Sequence, residues 1–485
     1  AMSRRDSSRT RDDGSGSGAG SGRPKSGAAT ARDRPILFKT SFRNTIYHVM
    51  RDRDGWKYTE ADMEWDFHWA EREWMFEVFD HIHLDSSQRV NHYRNDRELC
   101  RKDLLIKNVK KFRSALKKAG KLDEMEGYDF CPMTYLLPME YAMFEDEFRK
   151  NPGTPWIMKP IGRSQGRGIF LFTRLKDVAK WKNAHRWKLN MSGGDGTDKK
   201  EVESYVVQRY ISRPFLVGGR KFDLRLYALV TNFSPLTVWI YRAGFARFSS
   251  ERYDMESTDF DDAVHLTNIA VQKKSDNYDA ETGSKWDLRQ LKLYMISRYG
   301  PQEADRAFYA MQLIMLRSLL CVQKVMINDR HCFELYGYDV MLDDSRQPWL
   351  IEVNASPSLT ANTPEDYQLK YRMLSEMLDI VDMEGVRKGD EIAVGGFDLV
   401  YLNDKPVRPQ RGSYYHTFLG CDLPPPRLRN LPKKLRGSGT AAALRRERMV
   451  RGIPRAEVST PVAAEAPAAA EAEAAAEARW ADATP

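Results

Sequence analysis

Residues 349–354 read WLIEVN, apolar throughout except for Glu352 and Asn354. In a strand, side chains two apart share a face, so the carboxylate and the amide point the same way. A carboxylate facing the inside of a sheet needs a partner, because an unpaired buried charge is costly. Oxygen donors of this kind suit a hard cation such as Mg²⁺. Residues 336–342, YGYDVML, form a second apolar segment with one acid, Asp339. The polar turn Asp343, Asp344 and Ser345 separates the two. Together they predict a hairpin that sets Asp339 opposite Glu352 and Asn354. Either strand alone is equally well read as satisfied polar residues at a sheet edge. The pairing of the two favours a Mg–nucleotide site, with Asp339, Glu352 and Asn354 as metal ligands.

Other segments have the chemistry to serve such a site. Lys159 ends the apolar strand 156–159 and precedes the loop GRSQGRG at 162–168. Glycines there let backbone N–H groups approach an anion, and Arg163 and Arg167 add charge. A strand follows the loop at 169–172, so this is neither a Rossmann unit nor a Walker loop, where a helix follows. A lone glycine-rich loop is more often a turn; the lysine just before it strengthens the phosphate reading. Residues 206–211, VVQRYI, form an apolar strand that then opens, with backbone groups able to meet an adenine edge. By itself it is indistinguishable from a core strand. In 221–225, KFDLR, Lys221, Asp223 and Arg225 share one face and Phe222 and Leu224 the other. That row suits ribose, phosphate or carboxylate; a solvated face with ion pairs is the plain alternative. Arg242 and Arg247 fall on or after the next strand, and HLTN at 265–268 is a turn able to cap a helix or touch a nucleotide.

These groups need a scaffold, and the chain supplies one. It has 485 residues, 42% hydrophobic and 11% aromatic, enough for two or three cores. No apolar run nears the roughly 20 residues of a membrane span, and the polar N-terminus has no signal-peptide core. Five cysteines, an odd number without a CxxC pair, argue for a reducing compartment and against zinc or a disulfide framework. His81 and His83 have the spacing to share a strand face, a pairing that is more often structural. Periodicity predicts a strand at 64–69, strands at 202–211, 222–231 and 236–241, and helices at 98–117, 303–326 and 364–383. The 98–117 helix carries Leu99, Leu104, Leu105, Val109, Phe112 and Leu116 as its apolar stripe. The net charge is +8. Much of the excess runs from Lys405 to Arg455, opposed there only by Asp422 and Glu447. Such a run seeks a polyanion or is simply a solvated tail. Composition predicts disorder at 1–34 and beyond 456, and a solvated loop at 192–200.

The order of these segments resembles the tubulin tyrosine ligase-like family of ATP-grasp amino-acid ligases. The resemblance rests on LCRK at 99–102, WIMKP at 156–160, SQGRGI at 164–169, QRYI at 208–211 and RKFDLRLY at 220–227. It continues with YRAGFARFS at 241–249, HLTN at 265–268, GYDVML at 337–342 and WLIEVNASPSL at 349–359. The detail is most similar to the axonemal and basal-body polyglutamylases. It implies an α/β ATP-grasp fold: an N-terminal domain at 35–97, a central domain at 98–205 and a C-terminal domain at 206–400. The basic segment follows at 401–455, with a tail at 456–485.

The resemblance also implies roles. Lys102 and Lys159 would hold phosphates, under the loop Gln165, Gly166, Arg167 and Gly168. Gln208, with the backbone about Arg209, Tyr210 and Ile211, would hold adenine. Lys221 and Asp223, the latter on the ribose, and Thr267 and Asn268 would complete the ATP pocket. Asp339, Glu352 and Asn354 would bind Mg²⁺; Arg225 and Arg247 would position carboxylates, so that Arg225, Arg247 and Glu352 form the catalytic set. The implied reaction phosphorylates a carboxylate of a tubulin tail and joins free glutamate to it. Glycylation and tyrosination are the rivals within the family; a microtubule scaffold without catalysis is a rival outside it, opposed by the intact acids. Tubulin, microtubules and accessory subunits would be partners, in the cytoplasm and on the cytoskeleton of the cilium or flagellum, its axoneme and basal body. No aromatic-basic RNA motif accompanies the basic run, which argues against nucleic acid. Gln165 is similar to members that elongate glutamate chains, and Ala355 stands where some of those carry His. Arg167 stands where many relatives carry Lys.

Overall fold

A computed structural model describes residues 34–162, 166–178, 204–255, 261–278, 284–355, 357–361, 363–407 and 417–437. Of the predicted tails, 1–33 and 456–485 lie outside the described residues, as do the 192–200 loop, Arg163 and Gln165, whereas Arg34 is placed and pairs with Asp66 at 2.7 Å. The α/β class expected from the sequence is found, as three sheets that follow one another along the chain. The first is parallel, with order β2-β1-β3-β4: β1 Ile36–Thr40, β2 Trp56–Tyr58, β3 Phe67–Trp69 and β4 Arg89–Val90. The second is antiparallel, β5-β8-β6-β7: β5 Thr134–Leu137, β6 Trp156–Pro160, β7 Phe170–Phe172 and β8 Tyr205–Arg209.

The third sheet is built on β10, Arg220–Phe233. It also holds β9 Leu216–Val217, β11 Leu236–Tyr241, β12 Phe245–Phe248, β13 Lys285–Asp287, β14 Glu334–Leu342 and β15 Pro348–Asn354. The short strands β16 Ala393–Val394, β17 Phe397–Leu402 and β18 Lys405–Pro406 complete it. One edge of β10 pairs with β14; the other pairs first with β12 and then with β11. Phe222 and Leu224 face the main core, beneath the Pro301–Gln323 helix, while Lys221, Asp223 and Arg225 line the opposite side. Lys221 is only 2% exposed, so the solvated-face alternative fails.

Two expectations change. The stripe at 98–117 is not one helix: it breaks at Arg101 (φ −87°, ψ 124°) into Arg97–Cys100 and Lys102–Lys118. The apolar residues continue across the break, so periodicity did not reveal it. At 64–69 only Phe67–Trp69 is a strand, and His81 lies in a 3₁₀ turn rather than on a strand.

A buried polar joint links the first sheet to the third. His92 Nδ1 lies 2.7 Å from Glu334 Oε1, and Tyr336 O–H donates to Glu334 Oε2 at 2.9 Å. Burial pushes Glu334 up to about 8 and His92 down to about 4, so a neutral acid–imidazole pair is favoured.

Part of the basic run is built into the fold. Residues 417–437 cross the body: Thr417 donates to Gln312 at 2.6 Å, and Lys292 donates to the Leu419 carbonyl at 3.0 Å. Asp379, on the helix Pro364–Val381, takes Arg53 at 2.8 Å and Arg429 at 2.9 Å. These cations have internal partners, whereas Lys433 and Lys434 are exposed.

Candidate active site

The register of the third sheet sets out the site as rows. Asp339 pairs with Glu352 and Gly337 with Asn354. The next rung is Val340 with Leu350, which leaves Ile351 as an extra residue in β15. Such a bulge re-aims neighbouring side chains, and Ile351 and Glu352 both line one cleft. Across β10 the row continues through Arg225, opposite Asp339 on one side and Phe245 on the other. The adjacent row runs Asp223, Arg247, Lys285. The cleft, about 560 Å³, lies between this face and the second sheet. Lys159, Gln208, Thr267 and Asn268 line its far wall.

Asp339, 2% exposed, accepts from Arg225 Nε at 2.5 Å and from an Arg247 terminal nitrogen at 2.7 Å. Burial opposes its charge, but Arg225 and Arg247 together hold the carboxyl well below the usual carboxylate range. Arg247 also clasps Asp223 with two hydrogen bonds, one of them 2.8 Å. The interlocked acids and guanidinium groups form a fixed charged floor. Glu352 meets Lys102 at 3.0 Å and is more open to the cleft. The helix break at Arg101 makes Lys102 the first residue of its helix. Asn354 Nδ2 donates to the Gly337 carbonyl at 3.3 Å. Two carboxylates and an amide on adjoining strands fit a divalent cation in donor chemistry. The acids already gather cationic side chains around them.

The two lysines of the nucleotide reading sit differently. Lys159 donates to Gln208 Oε1 at 2.7 Å, and Gln208 donates in turn to Thr134 at 2.9 Å. Lys221 donates to the Tyr210 hydroxyl and to the His265 carbonyl, each at 2.7 Å. Neither ammonium has an acid partner among the described residues. Burial, then Lys102, lowers Lys159 to about 8; burial lowers Lys221 to about 7, against the pull of Asp223. Two buried cations without acids, facing one cleft, are suited to a polyanion. The Arg209 and Tyr210 amides are committed to the Met133 and Pro155 carbonyls, at 2.8 and 3.0 Å. Of the backbone donors read for an adenine edge, that leaves the amide of Ile211.

HLTN forms a turn between two short helices, with Asn268 at the start of Ile269–Gln272. The glycine loop lies against this turn. Gly166 has φ +77°, and a Cβ there would stand 3.1 Å from Val271 and 3.5 Å from Asn268. Arg167 and Gly168 are exposed. Arg242, singled out with Arg247, is instead tied to Asp398 at 2.6 Å, away from the cleft. Sequence reasoning missed Lys285 and Lys370, which line the same cleft. Their common partner, Asp366, lies four residues before Lys370 in a helix, a spacing that by itself reads as an ordinary surface ion pair.

Residues 81–388 match the tubulin-tyrosine ligase family, and this chain belongs to that family. The matched span contains every cleft residue named above. Among relatives, the chain is 47% identical over 421 residues to the probable tubulin polyglutamylase TTLL9 of Rattus norvegicus, covering 82% of this chain and 89% of that one. It is 48% identical over 383 residues to the probable tubulin polyglutamylase ttll-9 of Caenorhabditis elegans, covering 79% and 88%. It is 39% identical over 393 residues to the probable alpha-tubulin polyglutamylase Ttll1 of Tetrahymena thermophila, covering 76% and 92%. The resemblance read from the motifs is thereby borne out.

Proposed function

We propose that this chain is an ATP- and Mg²⁺-dependent ligase that joins glutamate to glutamate side chains or chains on the acidic tails of tubulin. The observation that carries the reading is one cleft holding both an oxygen donor set and two buried lysines with no acid partner among the described residues. Lys159 and Lys221, with Lys102 and the loop about Gly166, hold phosphates. Gln208, Ile211, Asp223, Thr267 and Asn268 frame the nucleoside. Asp339, Glu352 and Asn354 are the residues that would hold Mg²⁺, which when bound would supply charge neutralisation for phosphoryl transfer. Arg225 and Arg247, fixed by Asp339 and Asp223, orient carboxylates at the reacting end. The acceptor carboxylate takes the γ-phosphoryl group and ADP leaves. The amine of free glutamate then attacks the acyl carbon, phosphate departs, and an amide remains. Pre-set hydrogen-bond donors and charges stabilise these steps at little reorganisation cost.

Free glutamate and microtubules are the partners in this reading, with accessory subunits open to it. Its setting is the cytoplasm and the cytoskeleton of the cilium or flagellum, axoneme and basal body. The test offers isotopically labelled glutamate, glycine and tyrosine together with tubulin and ATP, and reads the products by mass spectrometry. Glutamate increments alone are expected; glycine or tyrosine increments would overturn the reading. If only tails already bearing a branch glutamate are extended, the chain elongates rather than initiates.

The lysine environments give a pH dependence. In the free cleft Lys221 is near half-neutral at pH 7, and Lys159 loses its proton near pH 8. Phosphates favour the charged ammonium, so above these values nucleotide binding must take up protons. The Kd for ATP is expected to rise by roughly tenfold or more from pH 7 to pH 9. Calorimetry in buffers of different ionisation enthalpy should show proton uptake. A flat Kd without proton uptake would remove these lysines from the phosphate site.

A further inference from the structure

A second cavity, about 540 Å³, lies outside the cleft and has no part in the proposed reaction. Its walls come from three distant parts of the chain. His48, Arg51 and Asp52 stand on the helix Thr45–Asp52, and Tyr367 on the helix Pro364–Val381. Lys433 and Lys434 come from the strap at 417–437. Three cations therefore meet one acid, and that acid is already engaged. Asp52 Oδ1 accepts twice from Arg51, at 3.0 and 2.8 Å, and Oδ2 accepts from the Lys433 amide at 3.3 Å. Neither lysine ammonium has an ion-pair partner among the described residues. Clustered like charges repel one another and favour an anion between them.

The two lysines are presented from a fixed turn. Arg436 donates to the Asp52 and Arg429 carbonyls at 2.9 Å each, which pins the 3₁₀ turn Lys433–Leu435 against the helix Thr45–Asp52. The Lys434 ammonium stands 5.8 Å from the centre of the Tyr367 ring, and the Tyr367 hydroxyl lies 3.3 Å from His48 Nδ1. Arg43, exposed and 4.9 Å from the centre of the Tyr47 ring, carries the positive face beyond the cavity. The cavity also shares a wall with the cleft. Asp366, which holds the cleft lysines Lys285 and Lys370, immediately precedes Tyr367 in one helix. Asn44, which caps the helix Thr45–Asp52, lies 3.5 Å from Thr360, just after Ser358 of the cleft lining. A helix is about 10 Å across, a distance that about three extended residues span.

We infer that this cavity is an exosite for the acceptor, in which Lys433, Lys434 and Arg51 hold acidic residues of the tail that lie outside the catalytic cleft. The inference deepens the ligase reading above and rests on it. An acidic peptide with one carboxylate in the cleft has further acids within reach of the cavity. Ammoniums without internal partners meet those carboxylates without breaking an ion pair of the fold. The Tyr367 and His48 rings give the peptide a surface to pack on. The exosite adds affinity for the acceptor and leaves the phosphoryl-transfer step untouched.

The test is the full-length double variant Lys433→Gln with Lys434→Gln, and beside it Lys433→Arg with Lys434→Arg. Both lysines are exposed, so the variants should melt with the wild type. The acceptors are tubulin and two synthetic peptides of its acidic tail, of about five and about fifteen residues, spanning roughly 17 and 50 Å when extended. The wild type comes first: if it transfers no glutamate to tubulin, the ligase reading itself has failed. The exosite is then judged by fluorescence anisotropy of the labelled long peptide, where equal affinity for the wild type and the glutamine variant overturns it. If transfer occurs, the glutamine variant is expected to raise the KM for tubulin and for the long peptide about fivefold, the loss of two exposed ion contacts. The kcat, and the KM for the short peptide, glutamate and ATP, should stay within about twofold, and the arginine variant should restore wild-type values. An unchanged KM for tubulin and for the long peptide would overturn the exosite. So would an equal rise for the short peptide, which would place the lysines at the cleft. Tighter binding of a single-stranded RNA than of the long peptide, lost in the glutamine variant, would assign the cavity to nucleic acid instead.

Discussion

Replacing Glu352 by Gln is expected to cut glutamate transfer by about a hundredfold or more at saturating ATP and Mg²⁺, because metal-borne charge stabilisation is worth several kcal/mol. The substitution keeps the shape of the side chain and removes its charge. The structure indicates why the fold should tolerate it. Glu352 and Lys102 meet at 3.0 Å with side chains 23% and 20% exposed, so each keeps some contact with water. Pairs of this kind contribute about 0–1 kcal/mol. No other acidic group is bonded to Lys102 among the described residues, and the freed ammonium can turn to solvent. The purified variant should therefore melt within a few degrees of the wild type while turnover collapses. Near-normal turnover would remove Glu352 from the metal set. A collapse of both turnover and melting temperature would mean that its role is structural.

The hairpin carrying this residue was legible because its signal is local. Two apolar strands each held an acid, and a polar turn lay between them. The bulge at Ile351 was not legible, since an extra residue in a ladder leaves no mark on composition. The break at Arg101 was hidden for a related reason: Leu99 and Leu105 continue one buried stripe although the helix between them is interrupted. The charged row Lys221, Asp223, Arg225 could be read for its alternation, but its burial could not. That depends on the second sheet covering it, which is a long-range fact. Lys285 had no local signal, and the spacing of Asp366 and Lys370 read only as an ordinary surface ion pair. They meet only because Lys285 crosses from Arg247 and the helix Pro364–Val381 brings Lys370 to the same carboxylate. The strap at 417–437 read either as charge seeking a polyanion or as part of a solvated tail. Arg429 and Arg436 instead find Asp379 and the Asp52 carbonyl, at 2.9 Å each, partners remote in sequence.

Asp339→Asn should behave differently from Glu352→Gln although both remove one charge from the same row. Asp339 is buried and takes hydrogen bonds from both Arg225 and Arg247. Without its charge, two buried guanidinium groups face each other with Asp223 as their remaining bonded carboxylate. Breaking a buried pair in this way costs about 3–5 kcal/mol. The expected result is a clear drop in melting temperature together with loss of transfer. The acid limb supplies an independent check. Arg225 and Arg247 hold the Asp339 carboxyl low against the effect of burial, so its contribution to stability is present above the unfolded value near 3.9. That contribution is lost as pH falls through the lower folded value. Asparagine has no proton to gain, so the variant should show a smaller loss of stability on acidification than the wild type. Melting curves of the two proteins, with Glu352→Gln as the third, from pH 7 down to pH 4 and below test this directly. If Asp339→Asn melts with the wild type at pH 7, the interlocked floor of Asp223, Arg225, Arg247 and Asp339 does not carry the stability its geometry implies. If it melts early yet keeps full turnover at a permissive temperature, Asp339 holds the arginines and is not a metal ligand.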